Sequence, residues 1–594
     1  MFYPLSNFNI IDLYVLLISL TLICSLFFVG RSITGPKELQ AIQIPIGIII
    51  MYGFFVIGSI VKTEFSIINV VYFVIILSLV GIWRSKLILV KDIVILLIVF
   101  SFVSPLLLYG ILSHNFLWDD YTNWIPPARY LYKNLHMPTL YEPIVNHATP
   151  SYSYLRALIH SLINLPINKF IMNIQIIFNI LFGSTILLWA TPIFKIINPN
   201  RNYDIANIIS IMGSFLCFLL IVWIVILVEF LFSSYSEASY LICLLHLFFY
   251  LIIIIHNSDD FEKGKFNLVL ALLIAFPLII KEVGFYHSII LFVSYLLVFE
   301  IPKLLKKNYG IYDKVKIILL HLLNLLPLIL MKLIWFLYVS KNQLKDPFND
   351  ISFDSNKLNL IPKILSSATE QFFYNIPLTS SIIVIIFILF FTKKTTSPKI
   401  VPNNSLFLFV ALFSLGVIMI TLLAYILVFS EYEAQRAASF WRYTDPAAFI
   451  LWSSIVISIL NFRDYFSNKI IKISSYAISA VYLLIFFYGL NKYNFDRSID
   501  YNFIQISSNL IQNYPENEDL FIIDLQTHGI DSIKIKYYVN EHMPINYFSS
   551  VHLKGTLSED VIKIWFENYK NIHIHSASNK QLKIIKDFID NLNE

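Results

Sequence analysis

The chain has 594 residues, 57% of them hydrophobic and only 14% charged, with a mean hydropathy of +0.71. A soluble domain carries about 25% charged residues and seldom builds apolar runs of about 18 or more, so a soluble globular protein is excluded. The formal net charge of +5 is spread along the chain, which argues against nucleic-acid binding. The three cysteines, Cys24, Cys217 and Cys243, all lie inside apolar runs, which excludes a disulfide framework and a CxxC metal site. Scarce Gly beside abundant Ile, Phe, Asn, Lys and Tyr is the bias associated with an AT-rich bacterial genome.

A helix crossing ~30 Å of hydrocarbon needs about 20 mostly apolar residues. By that measure spans are expected near 10–30, 41–61, 67–83, 93–112, 170–194, 207–232, 240–256 and 268–280. Six more follow near 288–300, 317–340, 378–392, 405–429, 447–460 and 470–490, making about fourteen. Pro277 and Pro327 are expected to kink or break their helices. The first span is too long for a cleaved signal and lacks a basic leader, so it is expected to stay.

Lys and Arg in the connections set the orientation. The loops that begin with Arg31/Lys37 and Arg84/Lys86/Lys91, taken alternately along the chain, hold 20 basic residues in short lengths. The other set holds 12 over a much longer total, including Lys281, Arg436 and Arg442. The first set is expected in the cytoplasm. Both termini and the long loops 113–169 and 341–377 then face outward from a bacterial plasma (inner) membrane.

A transmembrane domain over 1–490 and an extracytoplasmic α/β domain over 491–594 are expected. In the tail, 521–525, 545–548 and 571–575 read as strands. Helical stretches near 503–513, 531–540, 558–569 and 580–592 alternate with them, the pattern of a small parallel sheet. His573 and His575 share a strand face, but two histidines fall short of a metal-ligand set. No GxGxxG or Walker sequence occurs.

Charges at a membrane edge are expensive and mark function by default. The richest cluster is Trp118-Asp119-Asp120-Tyr121-Thr122-Asn123-Trp124, directly after a span. Behind it, Pro126 and Pro127 open an expected helix over 125–135 with Ala128, Leu131 and Leu135 as one apolar stripe. A second amphipathic stretch covers 150–165, and both are expected to lie along the membrane surface. Tyr235-Ser236-Glu237, the turn Lys281-Glu282-Val283-Gly284, and Arg442-Tyr443 with Pro446 all fall on the expected outward side.

In that order, these motifs resemble the type C glycosyltransferases, which include protein O-mannosyltransferases and lipid A aminoarabinose transferases. The likeness covers roughly residues 93–460. It implies sugar transfer from a polyprenyl-phosphate donor to a glycan, lipid or protein acceptor at the outer face. Asp119 then matches the family's first acidic position and would be the general base, a role typically worth 10²–10⁴-fold. Asp120 and Glu237 would orient the acceptor or hold a metal; a divalent cation is the one cofactor left open. Lys281 and Arg442, with Tyr443 beside it, would stabilise the departing lipid phosphate. Trp118 and Trp124 are the aromatic candidates for the sugar, or else interface anchors. The turn His147-Ala148-Thr149-Pro150 departs from the double proline many members carry, which leaves His147 as the donor contact there.

Other readings stand beside these. Lys281 can snorkel to the interface, Glu237 can simply favour a helix N-terminus, and Arg442 can pair with Glu431, Glu433 or Asp445. Glu229 and Lys332 fall within spans and should be paired, with no sequence rule to choose the partner. A glycan polymerase or ligase using 341–377, or a transporter of a lipid-linked saccharide, are the competing functions; a transporter predicts repeated halves, and none is visible. A reporter that fluoresces only in the cytoplasm, fused after Glu594, should stay dark, and a bright fusion would overturn the orientation.

Overall fold

The computed structural model describes residues 9–35, 39–62, 64–85, 89–112, 123–144, 150–197, a few positions from 208 to 215, 236–256, 267–306, 310–344, 359–392, 403–461, 498–514, 520–526, 530–542, 548–551, 557–569 and 571–593. They fall into two compact units. Residues 9–112, 128–142 and 150–461 make one; 123–127, 143–144 and 498–593 make the other.

Among the described residues, eight helices are long and apolar enough to cross a membrane: Ile10–Thr34, Gln40–Val61, Ile67–Ser85, Ile174–Ile196, Ser236–His256, Gly284–Leu305, Ile311–Lys341 and Asn404–Leu427. Helices also stand at four other expected spans, Leu89–Leu112, Leu268–Ile280, Ile376–Thr392 and Phe440–Asn461. Of these, Leu268–Ile280 has only 13 residues, short of the crossing length. The expected spans at 207–232 and 470–490 lie almost wholly outside the described residues. The chain is thus a mostly helical, polytopic membrane protein with a small parallel sheet near its C-terminal end.

The elements that matter below are α1 (Ile10–Thr34), α2 (Gln43–Val61), α3 (Ile67–Ser85), α4 (Leu89–Leu112), α5 (Ile125–Asn134), α6 (Leu155–Ile167) and α7 (Ile174–Ser184). They continue with α8 (Ser236–His256), α9 (Leu268–Ile280), α10 (Gly284–Tyr295), α11 (Leu326–Lys341) and α12 (Phe440–Asn461).

Local chemistry starts and stops these helices. Asn9 caps α1: its Oδ1 accepts from the amides of Ile11 and Asp12, and the Asp12 carboxylate accepts from the Asn9 amide at 2.9 Å. Pro277 does not break α9, which runs on to Ile280. Pro327 sits in the first turn of α11, after a turn at Asn324 whose side-chain amide donates to the carbonyl of His321 at 3.1 Å.

Without water to drive them together, membrane helices associate through close packing over small residues. The first three helices pack in this way: a Cβ at Gly47 would collide with the Leu26 carbonyl, and one at Gly81 with the Phe28 carbonyl. Where α1 ends, Arg31 is buried and bridges to both oxygens of buried Asp92 on α4 at 3.1 Å, while Gln40 donates to the same carboxylate at 2.5 Å. Arg31 belongs to the last turn of α1, so it is a structural cation of the bundle and not a loop charge.

Of the two expected surface helices, α5 keeps an apolar stripe of Ile125, Ala128 and Leu131, all buried. Leu135 leaves that stripe: at φ 61° it ends the helix, and its carbonyl accepts from the Ile67 amide at 2.7 Å. The second expectation is corrected. Helix α6 is buried from Leu155 to Asn164, so protein covers every face and it does not lie on the membrane surface.

In the tail, α13 (Ser498–Asn513), β1 (Leu520–Asp524), α14 (Ile530–His542), β2 (Phe548–Val551), α15 (Glu559–Asn568), β3 (Asn571–Ser576) and α16 (Asn579–Asn593) alternate as expected. The sheet is parallel in order β2-β1-β3, with Leu520 opposite Phe548 and Asn571. The second strand in chain order, β2, starts at Phe548, three residues later than the sequence suggests. Side chains alternate across a strand, so Phe521, Ile523 and Leu525 meet Ile562 and Trp565 of α15 and Ile585 of α16 on one face.

The close approach of the first helices makes a measurable difference between two glycines of α2. Gly47→Leu has to push α2 off α1 and should lower the melting temperature in detergent by an amount equivalent to about 1–3 kcal/mol or more. Gly53→Leu, where an added Cβ meets nothing within 4 Å, should melt like the parent. Equal melting of both variants would contradict the packing.

Candidate functional site

The site is built on a tight return of the chain. Helix α9 ends at Ile280, and Lys281–Val283 lead straight into α10. The Lys281 amide donates to the Pro277 carbonyl at 3.1 Å and the Gly284 amide to the Lys281 carbonyl at 2.8 Å. A Cβ on Gly284 would strike the Pro277 backbone, so only glycine allows so close a return.

This turn sends two successive side chains to different partners. Lys281 Nζ donates to Glu237 Oε1 at 2.7 Å, joining the turn to the first turn of α8. Arg442, in the first turn of α12, places its Nε 3.5 Å from the same carboxylate oxygen. Both cations lie near the ring face of Tyr443, Lys281 Nζ at 6.0 Å and the Arg442 guanidinium carbon at 5.4 Å from its centroid. Glu237 keeps 8% of its side chain exposed, Lys281 15% and Arg442 22%. The α8 N-terminus adds its partial positive charge beside the carboxylate. Together with Tyr240, His287, Asp445 and Pro446 these residues line a pocket of about 300 Å³ including its open mouth.

Glu282 turns the other way and pairs with Lys332 of α11. That pair answers which partner the intramembrane lysine takes, and it borders a second pocket of about 360 Å³ lined by Tyr52, Ser153, Ile279 and Trp335 among others. There the hydroxyls of Ser153 and Tyr52 are hydrogen-bonded at 2.9 Å, and Trp335 Nε1 donates to the Ser151 carbonyl at 2.8 Å.

The structure therefore brings together Glu237, Lys281, Arg442 and Tyr443. Lys281 is engaged within the protein, which goes further than snorkelling, and Glu237 is both a first-turn acid and an ion-pair partner. Asp119, Asp120, Trp118 and His147 lie outside the described residues, as does Glu229. Trp124 is buried at the entry to α5. Sequence reading missed Tyr240 and His287. Their signals were spacing: Tyr240 sits three residues after Glu237, on the same helical face, and His287 one turn into α10. Among the described residues no group of three or more His, Cys, Asp or Glu side chains is placed to hold a metal. No protein-family model matches the chain, and neither does any curated protein.

Removing one partner of a buried ion pair leaves an uncompensated charge and costs about 3–5 kcal/mol, while removing both costs far less. Glu237→Gln and Lys281→Met should each lower thermal stability in detergent, and the double variant should recover part of the loss, since Arg442 still lacks its contact with Glu237. Strictly additive losses would show that the two side chains are not coupled.

Proposed function

We propose that this protein is a membrane glycosyltransferase of the type C kind, moving a sugar from a polyprenyl-phosphate donor to an acceptor on the outer face of the membrane. The observation that carries the reading is the convergence of Lys281 and Arg442, from separate helices, on one carboxylate and one aromatic ring in a single pocket. A leaving polyprenyl phosphate is an anion, and cations fixed beside it lower the energy of the charge that develops on departure. Arginine supplies a planar donor fork suited to phosphate and lysine a point charge. Until an anion arrives, Glu237 holds the Lys281 ammonium in position. On the topology expected from the loop charges, all these groups lie at outward ends of their helices, and the loop that carries Asp119-Asp120 is expected on the same side of the membrane. In this reading Asp119 takes the proton of the acceptor hydroxyl.

Transfer from a synthetic short-chain polyprenyl-phosphate sugar, measured beside donor binding, tests the proposal. Asp119→Asn should lower turnover by about 10²-fold or more with donor binding little changed. The pair Lys281→Ala with Glu237→Gln removes the 2.7 Å ion pair as a unit, keeps Arg442, and should weaken donor binding as well as turnover. Full transfer by Asp119→Asn moves the role of base to Asp120. If Asp119→Asn, Asp120→Asn and Glu237→Gln are all active, the transferase chemistry is wrong and a lipid-linked saccharide transporter becomes the better reading.

A further inference from the structure

The pocket holds a polar atom that nothing described so far uses. His287, only 2% exposed, lines it, and the ring's Nδ1 is bonded to the hydroxyl of Tyr240, itself 3% exposed. The two rings stand 5.9 Å apart. The other nitrogen, Nε2, is buried and has no hydrogen-bond partner among the described residues.

The direction of the Tyr240–His287 bond decides what that nitrogen is. A phenol has one hydrogen to give, and the only hydrogen bond of the Tyr240 hydroxyl among the described residues is the one to His287 Nδ1. With the phenol donating, Nδ1 accepts and the ring carries its hydrogen on Nε2, which leaves one buried group without a partner among the described residues; the reverse direction leaves two, the phenol hydrogen and a bare Nε2. Buried N–H groups without an acceptor are rare in folded proteins and call for an explanation at each site. Here it is a buried donor in a residue lining a pocket whose charged members are a lysine, an arginine and two carboxylates.

We propose that His287 is a specificity-determining residue of this pocket, its Nε2–H donating to a phosphoryl oxygen of the ligand that Lys281 and Arg442 attract. This rests on the reading of the pocket as an anion site. The division of labour follows from chemistry. Cations attract any anion, whereas one buried, directed N–H rewards only a ligand with an acceptor oxygen at that place, and a site built around a hydrogen bond discriminates strongly against ligands that lack it. Tyr240 acts through His287 and is a positioning residue: it holds the tautomer that places the hydrogen on Nε2.

The probe is a short-chain polyprenyl monophosphate without sugar, and the measurement is its dissociation constant for the full chain in detergent, with melting temperature recorded for every variant. Hydrogen bonds to charged groups support an expectation of roughly tenfold or greater weakening for His287→Phe. His287→Gln, whose amide N–H reaches the place of Nε2, should bind within about threefold of the parent. Tyr240→Phe leaves the imidazole but frees its tautomer, and should weaken binding at an unchanged melting temperature. It also serves as the test if His287→Phe does not fold. Unchanged binding in His287→Phe, or in Tyr240→Phe where the former does not fold, overturns the role of His287; if the Lys281→Ala/Glu237→Gln pair still abolishes binding, the anion pocket itself survives. No binding by the parent, or full binding by that double variant, overturns the anion pocket and this proposal with it.

Discussion

A carboxylate carried into a helical bundle cannot remain ionised alone, because the low-dielectric surroundings penalise an unpaired charge far more than water does. Glu237 meets that constraint with Lys281 at 2.7 Å and Arg442 at 3.5 Å. The consequence is mechanical as well as electrostatic. Helix α8, the turn between α9 and α10, and the first turn of α12 are tied at one point, and side chains from all three line the pocket.

The turn itself depends on Gly284. Its close packing on Pro277 lets α10 follow α9 after only three intervening residues, with Lys281 and Glu282 in two pockets and not one. A longer connection would have left both side chains free to reach water. Elsewhere the same economy recurs: Arg31 and Asp92 hold α1 to α4 as a buried bidentate pair, and glycine lets α2 and α3 touch α1 backbone to backbone. Polar connections specify which helices meet, and small residues let them meet closely.

A different kind of buried polar group marks a purely structural role. His246 accepts from Trp189 Nε1 at 2.9 Å through Nδ1, and its Nε2 lies 2.9 Å from the Thr185 hydroxyl, which in turn donates to the Phe182 carbonyl. Every polar atom in that chain is satisfied within the protein. The contrast with His287 is what separates a histidine that fastens helices from one left with a donor to offer.

By itself the sequence determined that the chain crosses a membrane many times and ends in a small α/β unit, since apolar run length and strand–helix alternation are local properties. It also picked out Glu237, Lys281, Arg442 and Tyr443, because charge at a membrane edge is rare enough to stand out. What it could not determine were the pairings. Glu237 and Lys281 are 44 residues apart, and Lys332 reaches back 50 residues to Glu282; no periodicity links positions so distant. Arg442 had three acidic candidates close in sequence, and its shown carboxylate is one on another helix. Helix α6 looked amphipathic along its length yet is buried on every face, because its polar residues find partners: His160 bonds to the Ile171 carbonyl, and Asn164 accepts from the Ile171 amide. Only tertiary structure decided these matters, because a polar side chain in a bundle is satisfied by whatever the packing of other helices places beside it.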